Sequence, residues 1–405
     1  MEYLEAQRAG GPGQLAAPHP TLAPADLPYE FDLRPPRLGY CMRGWDFTRA
    51  ELARAVNEHL LLNPAFELGT NICPWNCSFC FTEDLQNITG GKRRLPNEMT
   101  VAERLRLIDA AADLGARTIN VVGAGEPTID PDFWEFVERM AEREITPVIF
   151  TEGALRLTRR PFVRRLYELG ATVVLKVNSL WDEAYQNSVV RGLGSRRSPL
   201  TDGYTRRRNR ALELLLEEGF AESEPTRLAF DTIVCKQNAH SILDLHRYAR
   251  HHNIFVLFVG YIPSGRSTDG LHDALTRAEQ FAIFEQIAQV DHEEFGINHR
   301  AVFPYAGGVP CSMRGTGIFV KITGQAFDCP GELIPLGDVR RESLSAAWEH
   351  ARPVTQTFDG GCAPREAFWA GDVRPVQIQS LKPRRPSVSP SSTRRTTLPV
   401  SDAIL

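Results

Sequence analysis

The sequence lacks the features of a membrane protein and of a nucleic-acid-binding protein. None of its 405 residues belong to an apolar run long enough to span a bilayer. Neither sign of charge dominates, because 46 Lys and Arg residues face 50 Asp and Glu residues and leave a formal net charge of −4. A protein that binds a polyanion usually carries a basic excess. We see no secretory signal, and we therefore expect a cytoplasmic protein with neither a membrane nor a nucleic acid as its partner.

Cysteine is also scarce, with eight in the chain, but three of them lie within one short run. Cys73, Cys77 and Cys80 have the spacing C-x3-C-x2-C, and the aromatic Phe79 precedes the third. Structural zinc sites use such cysteines but usually close with a fourth nitrogen or sulfur ligand, and none is nearby in the sequence. Disulfides are disfavoured in a reducing compartment. Three thiolates on one loop can instead hold three irons of a [4Fe–4S] cube and leave the fourth iron open.

Apolar runs alternate with helical patterns through the middle of the chain, which predicts a parallel α/β architecture. The helix after the first strand begins with a capping-box signature, Thr100 and Glu103. Active sites of parallel α/β folds assemble at the carboxyl ends of the strands, where the three cysteines would lie. We predict an α/β fold, a partial (β/α)6 TIM-like barrel that is open on one side. Its predicted strands are 66–70, 118–122, 146–150, 172–177, 227–234 and 254–259.

The segments on either side of the barrel differ from it in composition. Residues 1–61 are predicted to form a flexible arm, rich in Ala, Pro and Gly, and a leading helix. Residues 62–270 are the predicted barrel, and 271–370 are a linker helix with a β-hairpin and helix extension. Residues 371–405 are rich in Pro, Ser, Thr and Arg and are predicted to be a disordered tail.

The cysteine spacing, together with the aromatic residue before the last cysteine, resembles the radical S-adenosylmethionine (radical SAM) superfamily. Ala124-Gly-Glu126, after the second strand, looks like the Gly-Gly-Glu motif of that superfamily with alanine in first place. The resemblance implies a [4Fe–4S] cluster on the three cysteines, with S-adenosylmethionine (SAM) bound at the open iron. An electron from a low-potential donor, such as flavodoxin or ferredoxin, would split SAM into methionine and a 5′-deoxyadenosyl radical that abstracts hydrogen from the substrate.

The same resemblance indicates which residues meet SAM. A glycine lets the backbone approach a ligand closely, and the Glu126 carboxylate can accept hydrogen bonds from the methionine ammonium. Polar residues after the fourth strand are expected near the ribose or carboxylate, although they can also cap the following turn. Arg266 can pair with a carboxylate or be an exposed turn residue. The predicted SAM-binding residues are Phe79, Ala124, Gly125, Glu126, Asn178, Ser179 and Arg266.

A second cysteine set follows the barrel. Cys311, Gly324 and Cys329 form a C-x12-G-x4-C pattern, which resembles the SPASM and twitch extensions of radical SAM enzymes. In those extensions a β-hairpin presents cysteines to an auxiliary iron–sulfur cluster, and Cys362 would be a third ligand. Position 365 is arginine, so the usual fourth thiolate is missing. An iron open to substrate, a non-cysteine ligand, a zinc site and the absence of this second cluster all remain open.

Cys235 ends the fifth predicted strand, on the side of the expected active site. Some radical SAM epimerases use a cysteine thiol to return a hydrogen atom to a substrate radical, and the resemblance makes Cys235 a candidate for that role. The alternative is a small, buried, apolar side chain, which is what an unligated cysteine usually is.

Enzymes of this shape modify ribosomal peptides, or oxidise, epimerise or dehydrate amino sugars and cyclitols in antibiotic pathways. We see no room for a peptide-recognition domain before the barrel, so the sequence favours an oxidoreductase or lyase acting on a small polar or sugar-like molecule. A radical SAM maturase of a ribosomal peptide is the alternative. A non-catalytic iron–sulfur or zinc redox sensor is a further one, disfavoured because a sensor needs no SAM pocket around Glu126.

Overall fold

A nine-stranded sheet forms the centre of the protein, and its first six strands are parallel. A computed structural model describes residues 41–80, 92–191, 198–260, 273–297, 313–331 and 334–351. The parallel strands are Ala65–Gly69 (β1), Thr118–Gly123 (β2), Thr146–Thr151 (β3), Thr172–Lys176 (β4), Leu228–Ile233 (β5) and Phe255–Val259 (β6). They lie in the order β6-β5-β4-β3-β2-β1, and the sheet does not close on itself. The predicted partial barrel is confirmed.

Helices follow the strands as the alternation predicts, and the helix Val101–Asp113 begins with the predicted capping box. The Thr100 N–H donates to the Glu103 carboxylate at 2.7 Å, while the Thr100 hydroxyl accepts from the Glu103 N–H. No helix in the described ranges is both long enough and apolar enough to cross a bilayer. The helices are Arg49–Glu58 (α1), Val101–Asp113 (α2), Phe133–Glu142 (α3), Arg160–Glu168 (α4), Glu183–Arg191 (α5), Pro199–Asp202 (α6), Tyr204–Glu217 (α7), Ile242–His251 (α8), Arg277–Phe295 (α9), Met313–Thr316 (α10) and Leu344–Ala351 (α11).

Both faces of the parallel sheet are apolar, because alternate side chains of each strand point to opposite sides. On the outer face, Ile149 and Val173 belong to the main core shared with the helices. On the inner face, Val148, Val174 and Ala229 form a separate apolar cluster. Side chains two positions after Val174 on β4 and Ala229 on β5 therefore also point into the barrel, one layer nearer the carboxyl ends of the strands.

Residues 41–47 close the amino-terminal end of the barrel, which the sequence did not indicate. Met42 and Trp45 are buried in the inner apolar cluster. The first residue of β2, Thr118, donates its hydroxyl hydrogen to the Gly44 carbonyl at 2.7 Å. Because this segment fills the amino-terminal end, the functional loops gather at the opposite, carboxyl end of the strands.

The predicted C-terminal hairpin is present, and it extends the barrel sheet. Phe319–Val320 (β7) pairs in parallel with β1, and Gln325–Phe327 (β8) pairs antiparallel with β7. Pro335–Asp338 (β9) adds a third strand, paired antiparallel with β8. The hairpin turn contains Gly324 at φ 94°, a conformation that strongly favours glycine.

Candidate active site

The three cysteines predicted as cluster ligands lie on one loop that follows the carboxyl end of β1. Cys73, Cys77 and Cys80 are each partly buried. The backbone N–H of Asn76 donates to the carbonyl of Val190 at 2.8 Å, which attaches the loop to the last turn of α5. The structure therefore places all three thiols at the end of the barrel where the fold predicts the active site.

A buried ion pair fixes the end of β1 from which the cysteine loop departs. One carboxylate oxygen of Asp130 accepts from the backbone N–H of Thr70 at 2.7 Å and from the Arg104 guanidinium at 3.0 Å. Neither charged side chain is exposed, and the guanidinium lies 4.5 Å from the centre of the Phe136 ring. Buried charges persist when they are paired and hydrogen-bonded, so this pair is a rigid base for the loop.

Lys92 lies against the cysteine loop, although no motif in the sequence includes it. Its backbone N–H donates to the Cys73 carbonyl at 2.7 Å, and the Cys73 N–H donates back to the Lys92 carbonyl at 3.2 Å. Its ammonium nitrogen lies 3.9 Å from the sulfur of Cys80 and donates to the carbonyl of Ala124. One buried lysine thus contacts the first and third cysteines and the turn after β2.

The cysteine side chains suit an iron–sulfur cluster. Burial raises the pKa of the Cys73 thiol well above its usual value, and the neighbouring Cys77 raises it further, while Lys92 lowers it. Thiolate ligation by iron overcomes such a penalty, and cysteine thiolates are the ligands that hold [4Fe–4S] clusters. Among the described residues, no three Cys, His, Asp or Glu side chains are grouped as single-ion ligands. In a cube each thiolate binds its own iron, so the three thiols need not converge on one point.

The glycine of the Ala124–Glu126 turn permits a close contact within the protein. A methyl group added at Gly125 would lie 2.1 Å from the carbonyl oxygen of Ile72, in the cysteine loop. The same carbonyl accepts the backbone N–H of Glu126 at 3.0 Å. The turn and the cysteine loop are therefore in direct backbone contact. The SAM-binding roles of Ala124, Gly125 and Glu126 remain predictions.

The Glu126 carboxylate is buried and held by several donors. One oxygen accepts from the hydroxyl groups of Thr128 at 2.6 Å and Thr151 at 2.7 Å. The other accepts from the backbone N–H of Glu152 at 3.0 Å. Burial raises the pKa of Glu126, and these hydrogen bonds oppose the increase. The carboxylate joins the ends of β2 and β3, so its position is fixed before any ligand arrives.

Glu152 is a second buried carboxyl group beside Glu126, and the sequence analysis assigned it no role. One of its oxygens accepts from the Ala154 N–H at 2.7 Å, and the other makes no hydrogen bond within the described part of the chain. Burial raises its pKa well above the usual value, and the charge of Glu126 raises it further. The indole of Trp75, between the first two cysteines, lies close enough to oppose this increase. The sequence signal that could have indicated Glu152 is its place directly after a buried strand.

The polar residues after β4 serve the local structure. The backbone N–H groups of Asn178 and Ser179 both donate to the Gln186 side-chain oxygen, at 2.8 and 3.0 Å. The Ser179 hydroxyl accepts from the Asp182 N–H at 2.9 Å and so caps the turn. The Asn178 side-chain oxygen accepts from the N–H of Ile233 at 2.9 Å, which ties β4 to β5. Contacts of Asn178 and Ser179 with SAM remain predictions.

An ion pair inside the barrel mouth was also absent from the sequence analysis. Lys176 and Asp231 are register partners on β4 and β5, and their side chains form a 2.9 Å salt bridge. The side chains are only 14% and 22% exposed. The Lys176 ammonium lies 4.4 Å from the centre of the Phe79 ring. A charged pair therefore lies next to the predicted cluster ligands, one layer above the apolar filling of the barrel.

Of the remaining predicted site residues, the structure describes Cys235 and Cys329. Cys235 is buried and its sulfur lies 3.4 Å from the Tyr185 hydroxyl, and its role as hydrogen donor remains a prediction. Cys329 is partly buried, after β8. Arg266, Cys311 and Cys362 lie outside the described residues.

Comparison with known families gives one match that covers the barrel. Residues 68–259 match the model of the Radical SAM superfamily. The matched region begins in β1, includes the cysteine loop and ends at the last residue of β6.

Curated relatives that match this chain include proteins named mycofactocin maturase MftC. The protein from Mycobacterium ulcerans (strain Agy99) is 27% identical over 271 residues, which cover 64% of this chain and 66% of the relative. The protein from Mycobacterium tuberculosis (strain CDC 1551 / Oshkosh) is 27% identical over 221 residues, covering 53% and 51%. This chain therefore spans between about half and two thirds of the length of these relatives.

Solved structures share the fold at low sequence identity. Streptococcus suis SuiB bound to S-adenosylmethionine has a TM-score of 0.53 and 16% identity, with 74% of this chain and 69% of SuiB covered. Native anSMEcpe with bound AdoMet has a TM-score of 0.52 and 15% identity, with 73% and 83% covered. A further SuiB structure, bound to the precursor peptide SuiA, has a TM-score of 0.53 and 15% identity, with 74% and 68% covered. At these identities the similarity establishes the fold.

Proposed function

Because this chain belongs to the radical SAM superfamily, we propose that it is a maturase that modifies a peptide by radical chemistry. The observation that carries the radical chemistry in this proposal is the backbone contact between the cysteine loop and the Ala124–Glu126 turn, made by the 3.0 Å hydrogen bond from Glu126 to Ile72. The cysteine loop is the predicted cluster site, and the turn is the predicted SAM site. Their contact at the carboxyl end of the sheet brings the two together where the barrel has its mouth.

Each part of the mouth has a distinct task in this proposal. Cys73, Cys77 and Cys80 hold the [4Fe–4S] cluster. When bound, the cluster and SAM supply the 5′-deoxyadenosyl radical that removes a hydrogen atom from the substrate. In this proposal Glu126, held in place by its donors, accepts hydrogen bonds from the SAM ammonium. The reducing electron comes from a low-potential donor of the flavodoxin or ferredoxin class.

Relatives named as maturases favour a peptide substrate over the small polar or sugar-like substrate that the sequence analysis preferred. The peptide-bound SuiB structure shares this fold and supports the same choice. A peptide can be bound by the barrel mouth itself, which the open sheet allows.

The pair of Lys176 and Asp231 can bind a peptide group in the mouth. The two charges balance each other, so the pair does not select for a charged ligand. The ammonium has further N–H donors beyond the one used by Asp231, and a carboxylate has several acceptor positions. A peptide group offers the complement, a carbonyl acceptor and an N–H donor. We place the substrate backbone beside this pair, next to Phe79 and the cysteine loop.

Reductive cleavage of SAM tests the enzymatic part of the proposal. The protein is reconstituted anaerobically with iron and sulfide, reduced with dithionite and incubated with SAM, and 5′-deoxyadenosine is measured by mass spectrometry. We expect product from the unchanged chain and none from Cys77→Ala. The Cys41→Ala variant is the matched control, because Cys41 is buried in the amino-terminal segment away from the loop. A reconstituted, iron-loaded protein that forms no 5′-deoxyadenosine would contradict the proposal.

Substrate class is tested by adding candidate substrates to the same assay. Synthetic peptides matching short reading frames beside the gene form one set, and amino sugars and cyclitols form the other. We expect a peptide to increase 5′-deoxyadenosine formation and to change in mass. An increase with a sugar or cyclitol, together with no response to any peptide, would restore the small-molecule interpretation.

A further inference from the structure

We propose that Lys92 is a positioning residue for the cluster and that its ammonium group, held against Cys80, raises the reduction potential of the cluster. The inference rests on the proposed function in one respect, that Cys80 binds one of the irons. It goes beyond that function because it assigns a positive charge of the protein itself, the Lys92 ammonium group, to the site where the electron enters.

The backbone of Lys92 is fixed relative to the first cysteine. Two hydrogen bonds, 2.7 and 3.2 Å long, join Lys92 and Cys73 in both directions as an antiparallel bridge. This bridge pairs the chain segment that returns after the cysteine loop with the start of the loop. The Lys92 side chain therefore starts from a fixed point at the edge of the predicted cluster site.

The ammonium group of Lys92 joins the two halves of the site. It lies 3.9 Å from the Cys80 sulfur and donates to the carbonyl of Ala124. The residue is 7% exposed. Moving an ammonium group out of water is costly unless anionic or strongly polar partners surround it. The carbonyl is one such partner, and a cysteine thiolate bound to iron would be an anionic one.

A cation at this place has a direct consequence for electron transfer. Reduction adds a negative charge to the cluster, and a nearby positive charge stabilises the reduced form more than the oxidised form. Hydrogen bonds and charges at the cysteine sulfurs are established determinants of iron–sulfur potentials. Partial burial strengthens the effect, because little water screens the charge. Lys92 therefore makes the cluster easier to reduce.

The test is an EPR-monitored redox titration of the reconstituted, full-length protein without SAM. Lys92→Met removes the charge at similar length, and Lys92→Arg keeps it. Lys236→Met is the matched control, because Lys236 is exposed and its backbone N–H donates to the carbonyl of Asp273. Iron content is measured on every sample. We expect a more negative midpoint potential for Lys92→Met, and potentials close to that of the unchanged protein for Lys92→Arg and Lys236→Met.

Loss of the cluster from Lys92→Met but not from Lys92→Arg would also support a role for the charge. An iron-loaded Lys92→Met protein with an unchanged potential would overturn the inference. Equal cluster loss from both Lys92 variants would overturn it too, because the requirement would then be for lysine packing. Failure of the unchanged protein to bind iron would instead count against the proposed function, so the two failures are distinguishable.

Discussion

The carboxylate of Glu126 accepts the backbone N–H of Glu152 at 3.0 Å, which places two buried acidic residues side by side at the ends of β2 and β3. Burial raises the pKa of both carboxyl groups, and the charge of Glu126 raises that of Glu152 further. Each oxygen of Glu126 accepts a hydrogen bond, one from two hydroxyl groups and the other from a backbone N–H, whereas Glu152 has one oxygen without a hydrogen bond in the described chain. Of the two, Glu152 is therefore the group that keeps its proton to higher pH.

This difference predicts a pH-dependent contribution to stability from Glu152. Between the ordinary pKa of glutamate and the raised folded-state value, the folded protein binds more protons at this site than the unfolded chain does. Stability from this group is therefore present at low pH and is lost as the pH rises through the folded pKa. Each tenfold difference in proton affinity between the folded and unfolded states changes the free energy of unfolding by about 1.4 kcal/mol.

Glu152→Gln removes the ionisable group and should flatten that pH dependence. Urea unfolding between mildly acidic and mildly alkaline pH measures it, with the stability of the variant increasing relative to the unchanged protein as the pH rises. Glu168→Gln, at an exposed position on α4, is the control and should leave the profile unchanged. Parallel profiles for Glu152→Gln and the unchanged protein would show that Glu152 has no raised pKa.

The sequence could predict the cluster loop and the barrel because their signals are local. The spacing of Cys73, Cys77 and Cys80 needs only eight consecutive positions, and each strand is a continuous apolar run. Strand ends then specify which loops share the mouth, since the carboxyl ends of parallel strands lie at one edge. Strand boundaries differ from the prediction by a residue or so, as at β5, where the strand is Leu228–Ile233.

Contacts that depend on strand register, or on the chain folding back on itself, could not be predicted in the same way. Lys176 and Asp231 lie 55 positions apart and meet only because β4 and β5 pair in a particular register. Lys92 contacts Cys73 because the chain folds back after the cysteine loop. In each case the sequence contains an ordinary charged residue, and only the fold supplies its partner. The closure of the barrel by Trp45 has the same origin.

The close contact at Gly125 predicts a strong effect of adding one methyl group. In Gly125→Ala the new carbon would meet the Ile72 carbonyl oxygen at 2.1 Å, so the turn and the cysteine loop must separate. We expect a loss of about 1–3 kcal/mol of stability, as in other overpacked sites, and a large decrease in bound iron. Iron and sulfide analysis after reconstitution measures the second effect.

Gly170→Ala is the matched control for that substitution. Its added methyl group would meet no atom within 4 Å, although Gly170 has a φ of 75° and the change strains the backbone. The control should therefore lose some stability and keep its iron. If Gly125→Ala reconstitutes as fully as Gly170→Ala, the contact with Ile72 is not needed for cluster binding.

Iron counting also tests the predicted auxiliary cluster. A variant with alanine at Cys73, Cys77 and Cys80 should lose the SAM cluster and keep about four irons per chain if the second cysteine set binds a cluster. Adding Cys329→Ala should then remove the remaining iron, because Cys329 would be one of its ligands. Adding Cys235→Ala is the control, since that thiol is buried beside Tyr185. An iron content near zero in the triple variant alone would eliminate the auxiliary cluster.

The salt bridge between Lys176 and Asp231 predicts separable effects on stability and on substrate binding. Its side chains are mostly buried, so Lys176→Met or Asp231→Asn leaves the other group without its 2.9 Å partner. We expect each single change to cost about 1–3 kcal/mol in urea unfolding, and the double variant to cost less than the sum. That result would show that the two side chains interact, because the double variant loses their interaction only once.

Substrate binding should not be recovered in the double variant. A hydrogen bond to a charged group contributes about 1.5–3 kcal/mol, so each variant should raise the KM for the peptide by about tenfold or more. Cleavage of SAM without peptide should continue in all three, because the cysteine loop and Glu126 are untouched. An unchanged KM would place the peptide elsewhere in the mouth, and loss of peptide-independent SAM cleavage would assign the pair to SAM.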